Sequence, residues 1–167
     1  MSVLEILRWP DPRLSTVCAP VTGIDAMIRT LAGNMLETMY AAPGRGLAGP
    51  QVGAMSRIFV MDTDWKEGPS TPMVFINPVI ESTSDTLVTQ SEGCLSIPGM
   101  SLQISRPAEV TMVWTNLEGA QKTQEFSGFA AACVQHELDH LNGVVTFDHL
   151  PPDMRVAREA EYAEIGS

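Results

Sequence analysis

The sequence predicts an α+β fold: antiparallel strands packed around a central buried helix that carries His-Glu-x-x-His. Three observations predict it. Two stretches place apolar residues at helical spacing, and several short runs of β-branched and aromatic residues are bounded by Gly, Pro, Asn or Asp. The second helical stretch ends in His136-Glu137-Leu138-Asp139-His140, just before an Asn-Gly stop.

Residues Asp25 to Tyr40 read as the first helix, with Met27, Ile28, Leu31, Met35 and Met39 as its apolar stripe. Thr22-Gly-Ile-Asp25 resembles a capping box at its start, and Pro43-Gly44 stops it. A glycine-rich loop from Gly44 to Gly53 follows. Strand-like runs cover Arg57 to Met61, Met73 to Ile76, Val79 to Gln90 and Glu109 to Thr115. Leu117-Glu118-Gly119 reads as a turn, returning a strand from Gln121 to Phe126. Ser127 is the expected N-cap of the second helix, which runs to about Leu141 with Asn142-Gly143 as its left-handed C-cap. Phe129, Val134, Leu138 and Leu141 make this a buried helix. Pro151-Pro152 opens a short, polar, weakly anchored last helix.

Composition bounds the function. The 167 residues suit one catalytic domain spanning 1–167. Twenty acidic residues against ten basic ones give a net charge of −10, which with no basic cluster argues against direct nucleic-acid or anionic-membrane binding. No apolar run approaches bilayer length, and the opening stretch lacks the form of a signal peptide, so a cytoplasmic location is expected. Three cysteines, Cys18, Cys94 and Cys133, are too few and odd in number for a disulfide framework; they are core residues, reactive thiols or metal ligands.

His136 and His140 stand at i and i+4, so both imidazoles can reach one metal ion from a helix face. Glu137, next to the first histidine, can serve as general base on a metal-bound water. A catalytic metal usually takes a third protein ligand and keeps one position open. The His-x-x-Gly-x-x-His extension of some metallopeptidases fails here, because its last slot holds Thr146 and His149 comes three residues late. Glu159, Glu161 and Glu164 lie in the polar tail. Cys133 shares the histidine face of the helix, and Cys94 follows a strand within Ser91-Glu-Gly-Cys-Leu-Ser96; spacing leaves both open.

With three motifs in order, the chain resembles the peptide deformylase family. Gly44-Arg-Gly-Leu-Ala-Gly-Pro-Gln51 matches that family's glycine-rich segment, Glu92-Gly-Cys-Leu-Ser96 its second motif, and Gln135-His-Glu-Leu-Asp-His140 its third. The resemblance implies metal ligation by Cys94, His136 and His140, with Fe²⁺ as the resident ion, one per chain, and Zn²⁺, Ni²⁺ or Co²⁺ able to substitute. It implies hydrolysis of the formyl group from the N-terminal formylmethionine of nascent polypeptides. Glu137 would move the proton, and the Gln51 amide and Leu95 N–H would hold the developing negative oxygen. The peptide would add as a strand along Gly44, Arg45 and Gly46 and the segment leading through Glu92 to Gly93. The methionine would enter a pocket near Phe129, Ala132, Cys133 and His136.

The match departs from the family at Arg45, in a slot that is usually aliphatic; at Gly49, in place of an alanine; and at Ser101, where many bacterial members carry arginine. Some members dock at the ribosome through a basic C-terminal helix, and the acidic Glu159, Glu161 and Glu164 argue against such docking here. Other readings of the same site are an amide hydrolase for a different N-acyl substrate, marked by Arg45, and a metal-binding paralogue without turnover. An endopeptidase is a further one, weakened by the missing downstream ligand. Against the binding protein stand Glu137, Gln51 and Leu95, since holding a metal needs no general base.

Overall fold

Period-two alternation sets the layers of this protein, whose computed structural model describes residues 2–165. The elements in order are α1 (Ala26–Ala41), β1 (Gly46–Ala48), β2 (Ile58–Met61), β3 (Met73–Thr83), β4 (Leu87–Cys94), β5 (Ile97–Pro107), β6 (Glu109–Thr115), β7 (Gln121–Ser127), α2 (Gly128–Leu141) and α3 (Pro152–Ile165). One antiparallel sheet has the strand order β1-β2-β3-β6-β7, and β4 and β5 pair separately as a hairpin. All four residues of β2 are buried. Ile58 and Val60 pack with Met35 and Met39 of α1, whereas Phe59 and Met61 pack with Val134 and Leu138 of α2. The sheet is therefore sandwiched between the two helices, and α2 is the buried one, as the apolar spacing predicts. Phe59 and Phe75 stack at 4.4 Å beneath α2. Each such fully buried side chain contributes roughly 1.5–3 kcal/mol by area.

A second core joins β5 to the end of the chain. Ile97, Met100, Leu102 and Ile104 pack with Leu14, Val145 and Phe147, and Trp9 and Tyr162 close its edge. The Tyr162 hydroxyl donates to the Trp9 carbonyl at 2.9 Å and Arg155 Nη1 to Asp148 Oδ1 at 2.6 Å, so α3 is anchored at both of its halves although none of its residues is buried. Among the described residues no helix is long and apolar enough to cross a membrane.

Several expectations change in detail. Asp25, rather than Thr22, caps α1: its Oδ1 accepts from the Ile28 N–H at 3.0 Å. Met27 leaves the stripe and is 79% exposed. Ser127 is the N-cap of α2 by position but makes no side-chain capping bond. Gly143, at φ 73°, ends α2 as expected. Met73 to Thr83 is one strand, because Asn77 takes a positive φ of 51° and a bulge absorbs Pro78. Both ends of the Asn77 amide bond the Val21 backbone and hold that geometry. The run from Val79 to Gln90 is two strands in different sheets, broken at Ser84 to Thr86. β5 is a strand that the turn-and-run reading omits.

Candidate active site

Three distant segments converge on one end of α2. The first turn after β1, Gly49–Val52, carries Gln51. A register shift between Gly93 and Cys94 ends β4 and turns the Cys94 side chain away from the regular ladder. Helix α2 presents His136 and His140 one turn apart, with ring centroids 5.0 Å from each other. One candidate ligand atom each from Cys94, His136 and His140 lies within 4.8 Å of the other two. Cys94 Sγ is 3.5 Å from His140 Nε2. Metal–sulfur and metal–nitrogen bonds of about 2.3 and 2.0–2.1 Å in a tetrahedron place two ligands roughly 3.5 Å apart, so this spacing fits one small ion. One thiolate and two imidazoles suit first-row ions such as iron, nickel, cobalt and zinc, and disfavour magnesium or calcium. Among the described residues this is the metal-type cluster of Cys, His and acidic side chains.

Cys133 does not enter it. Its sulfur points to the Arg45 carbonyl at 3.9 Å, and burial first, then the nearby Glu137 and Glu92 carboxylates, raise its thiol well above the usual range. A thiol held neutral is a poor ligand. His149 and the tail glutamates also lie elsewhere. His149 Nε2 sits 2.8 Å from Asp139, while Glu159 and Glu161 pair with Arg155 and Arg158.

The orientation of His136 comes from β4 and β5. Its Nδ1 is 3.1 Å from Glu92 Oε1. The Arg106 guanidinium grips the same carboxylate with Nε at 2.6 Å and Nη2 at 2.9 Å, and reaches Asp139 with Nη1 at 2.9 Å. Burial alone would raise the Glu92 carboxyl, but the hydrogen bonds from His136 and Arg106 and the guanidinium charge outweigh it and hold it at about 2. Glu92 is thus an acceptor only, so His136 donates to it from Nδ1. Burial opposes charge on the ring, but Glu137, Cys94 and Glu92 outweigh it and raise its pKa well above the usual range in the metal-free chain, and a metal would take Nε2. His140 is pushed toward its neutral form, first by burial and then by the charges of His136 and Arg106. Arg106 is a site-shaping residue outside the three motifs, and Asp139, though inside the third, takes its role only from the contact with Arg106. Arg106 follows Met100, Leu102 and Ile104 on the inward face of an alternating strand, a signal legible in the sequence.

Glu137 is 4% exposed and lines the cavity beside the cluster. Burial, the largest cause, lifts its carboxyl to about 7 despite the opposing charge of His136. Its Oε1 is buried with no hydrogen-bond partner among the described residues. The β1 backbone is pressed against it: a Cβ at Gly46 would fall 2.5 Å from Glu137 Oε2 and 3.0 Å from Cys133 Sγ. Gln51 is 1% exposed. Its Oε1 accepts from the Ala48 N–H at 2.9 Å, while Nε2 donates to Ser96 Oγ at 3.1 Å and lies 3.7 Å from Cys94 Sγ. The amide N–H end therefore faces the cluster. At Gly49 a Cβ would meet the Ala54 and Ser56 carbonyls at 2.6 and 2.8 Å, so glycine is required by this backbone.

A cavity of about 750 Å³ opens over these groups. It brings together Gly44, Arg45, Gly46, Gln51, Glu92, Gly93, Cys94, Leu95, Phe129, Ala132, Cys133, His136 and Glu137. His140 is not among the lining residues and joins the site through its closeness to Cys94 and His136. Two expectations shift here. Phe129 is 52% exposed at the rim, not in the core. Glu92, offered above as a substrate contact, has both oxygens engaged by Arg106 and His136; the partner of Arg45 is Glu67, at 2.5 Å.

Comparison with known proteins identifies the family. The polypeptide deformylase family model matches residues 3–156. A peptide deformylase of Afipia carboxidovorans is 47% identical over 150 residues, covering 90% of this chain and 88% of its own. One from Cellvibrio japonicus is 46% identical over 155 residues, covering 93% and 90%. The crystal structure of a peptide deformylase from Legionella pneumophila superposes with a TM-score of 0.92 at 34% identity, over 99% of this chain and 96% of that one. The Ehrlichia chaffeensis enzyme, solved in complex with actinonin, gives 0.92 at 38% identity over 98% of each chain. With the family model spanning most of its length and relatives well above 40% identical, the chain belongs to the polypeptide deformylase family.

Proposed function

We propose that this protein is a metal-dependent hydrolase that removes the formyl group from the N-terminal formylmethionine of newly made polypeptides, with residues 1–167 as one catalytic domain. Family membership carries the reaction, and the convergence of Cys94, His136, His140, Glu137 and Gln51 carries the assignment of roles. Cys94, His136 and His140 would hold one divalent ion, with Fe²⁺ as the resident and Zn²⁺, Ni²⁺ or Co²⁺ as substitutes. When bound, such an ion supplies Lewis acidity and brings the pKa of a water from about 15.7 towards 7.

Glu137 Oε1 takes the proton of the attacking water, a transfer worth about 10² to 10⁴ in rate. Burial of this carboxyl favours its holding the proton between the two transfers. The water oxygen adds to the formyl carbon, whose own oxygen becomes negative. Gln51 Nε2 and the Leu95 N–H donate to that oxygen; losing one such donor costs about 10² to 10³. The protonated Glu137 then delivers its proton to the leaving amine, the C–N bond breaks, and formate and a free N-terminus result.

The peptide would enter as a strand. Among the described residues β1 is an edge of the five-stranded sheet and β4 pairs only with β5, and both strands line the cavity. Main-chain bonds to these edges tolerate many sequences beyond the methionine. The methionine side chain fits the recess near Phe129, Ala132, Cys133 and His136. The substrate is a nascent chain in the cytoplasm, and the polar α3 with Glu159 and Glu161 beside Arg155 and Arg158 offers no strongly basic surface to the ribosome. Formyl-Met, acetyl-Met and unmodified Met peptides compared on the Ni²⁺-loaded protein test the reading. Hydrolysis of the formyl peptide alone is expected; preference for the acetyl peptide, or cleavage of the unmodified one, would replace it.

A further inference from the structure

The chain carries twenty acidic residues against ten basic ones, yet three of those ten, Arg8, Arg45 and Lys66, line the cavity. The acidic residues lining it are Glu92 and Glu137. The first is gripped by Arg106, and the second is buried beside His136. The accessible charge of this opening is therefore positive within a negative protein. Arg45 stands at the rim in a fixed pose. Its Nη2 pairs with Glu67, its Cζ lies 5.4 Å above the Phe129 ring, and Nε and Nη1 make no hydrogen bond among the described residues. Glu67 lies outside the cavity and its side chain is 66% exposed, so a second carboxylate can share the guanidinium. Lys66 is held next to it, because Trp65 Nε1 donates to the Gly44 carbonyl at 2.9 Å and Lys66 Nζ lies 5.6 Å from the Trp65 ring.

Building on the deformylase reading, we infer that Arg45, assisted by Lys66, makes this enzyme selective for formyl-methionyl peptides with an acidic residue at the second or third position. The cation would meet the substrate beyond the reacting bond and would bind ground and transition states equally, so the preference belongs in KM and leaves kcat unchanged.

The test is kcat and KM for C-terminally amidated formyl-Met-Asp-Ala, formyl-Met-Ala-Asp, formyl-Met-Ala-Ala and formyl-Met-Lys-Ala in wild type, Arg45→Met, Lys66→Met and Glu67→Gln. In wild type at low salt, the better acidic peptide should exceed formyl-Met-Ala-Ala by about two- to fivefold in kcat/KM, a preference that salt erodes. Arg45→Met should abolish the preference, Lys66→Met should reduce it, and Glu67→Gln, which removes the competing carboxylate, should increase it. An acidic-to-neutral ratio that is the same in wild type, Lys66→Met and Glu67→Gln overturns the inference even if Arg45→Met does not fold, as does a preference expressed in kcat. Hydrolysis of formyl-Met-Ala-Ala by wild type separates this result from failure of the deformylase reading, which would leave all four peptides intact.

Discussion

Glu92 and His136 are joined at 3.1 Å from carboxylate oxygen to Nδ1, and the same carboxylate is clamped by Arg106. This pair ties a strand of the hairpin to the helix that carries the histidines. It aims one ring of the cluster by means of a charge that never needs to leave the interior.

Glu92→Gln should therefore loosen both fold and metal. Leaving Arg106 without its buried partner costs about 3–5 kcal/mol, and losing the support of a ligating histidine costs roughly 10- to 100-fold in metal affinity. The carboxyl is held at about 2, below its ordinary 4.5, so its contribution is complete above pH 4.5 and is lost as pH falls towards 2. Urea unfolding of metal-free wild type and variant should show a gap at pH 7 that narrows below pH 4.5.

Glu137→Gln should keep the metal and the fold but lose hydrolysis by about 10² or more. In the metal-free protein it should be the more stable form at alkaline pH. The folded carboxyl is raised to about 7 from 4.5, so wild type is fully stable below pH 4.5 and loses stability as pH rises through 7. Urea titrations at pH 4.5 and pH 8.5 should show no difference at the first and roughly 1–3 kcal/mol in favour of the variant at the second.

Gly46→Ala is expected to disable the enzyme without emptying the cluster. Its methyl group would occupy space 2.5 Å from Glu137 Oε2, so the carboxylate must move. Overpacking of this kind costs about 1–3 kcal/mol. Metal content near one per chain combined with a large fall in kcat is the expected pair of results.

Elemental analysis of two cysteine variants tests the sulfur assignment. Cys94→Ala should lose the metal, while Cys133→Ala should retain it. The reverse pattern would make Cys133 the sulfur ligand in place of Cys94.

The nature of the donor set also predicts sensitivity to air. A ferrous ion held by a thiolate beside an open cavity should lose activity much faster than the nickel form. Half-lives of the two loaded proteins, measured with and without catalase, give the comparison.

The chemistry was legible because it is local. His136, Glu137 and His140 are placed by the helical repeat alone, and the burial of Val134, Leu138 and Leu141 follows from the same period. The alternation Met100, Leu102, Ile104, Arg106 was equally present and was masked by Pro98, Gly99 and Pro107 at its ends. Read as a strand, it puts a charge on an apolar face and so announces a buried ion pair.

Other features were decided only by the tertiary structure. Cys133 and Cys94 are both reasonable sulfur ligands by spacing. The resemblance of Glu92-Gly-Cys-Leu-Ser96 already favoured Cys94, and the structure adds the geometry behind it: the hairpin bulge carries Cys94, 46 residues from His140 in sequence, to 3.5 Å from that ring, while Cys133 is turned to the Arg45 carbonyl. The same holds for Phe129, whose helical position predicted burial but whose place in the first turn of α2 leaves it at the cavity rim. Likewise, the pairing of Arg45 with Glu67, 22 residues away, is set by the fold and by no motif. Backbone dihedrals and side-chain faces repeat over a few residues, so neighbouring residues determine them. Which distant element covers a face depends on how all the apolar faces are buried together, and no short stretch of this chain contains that information.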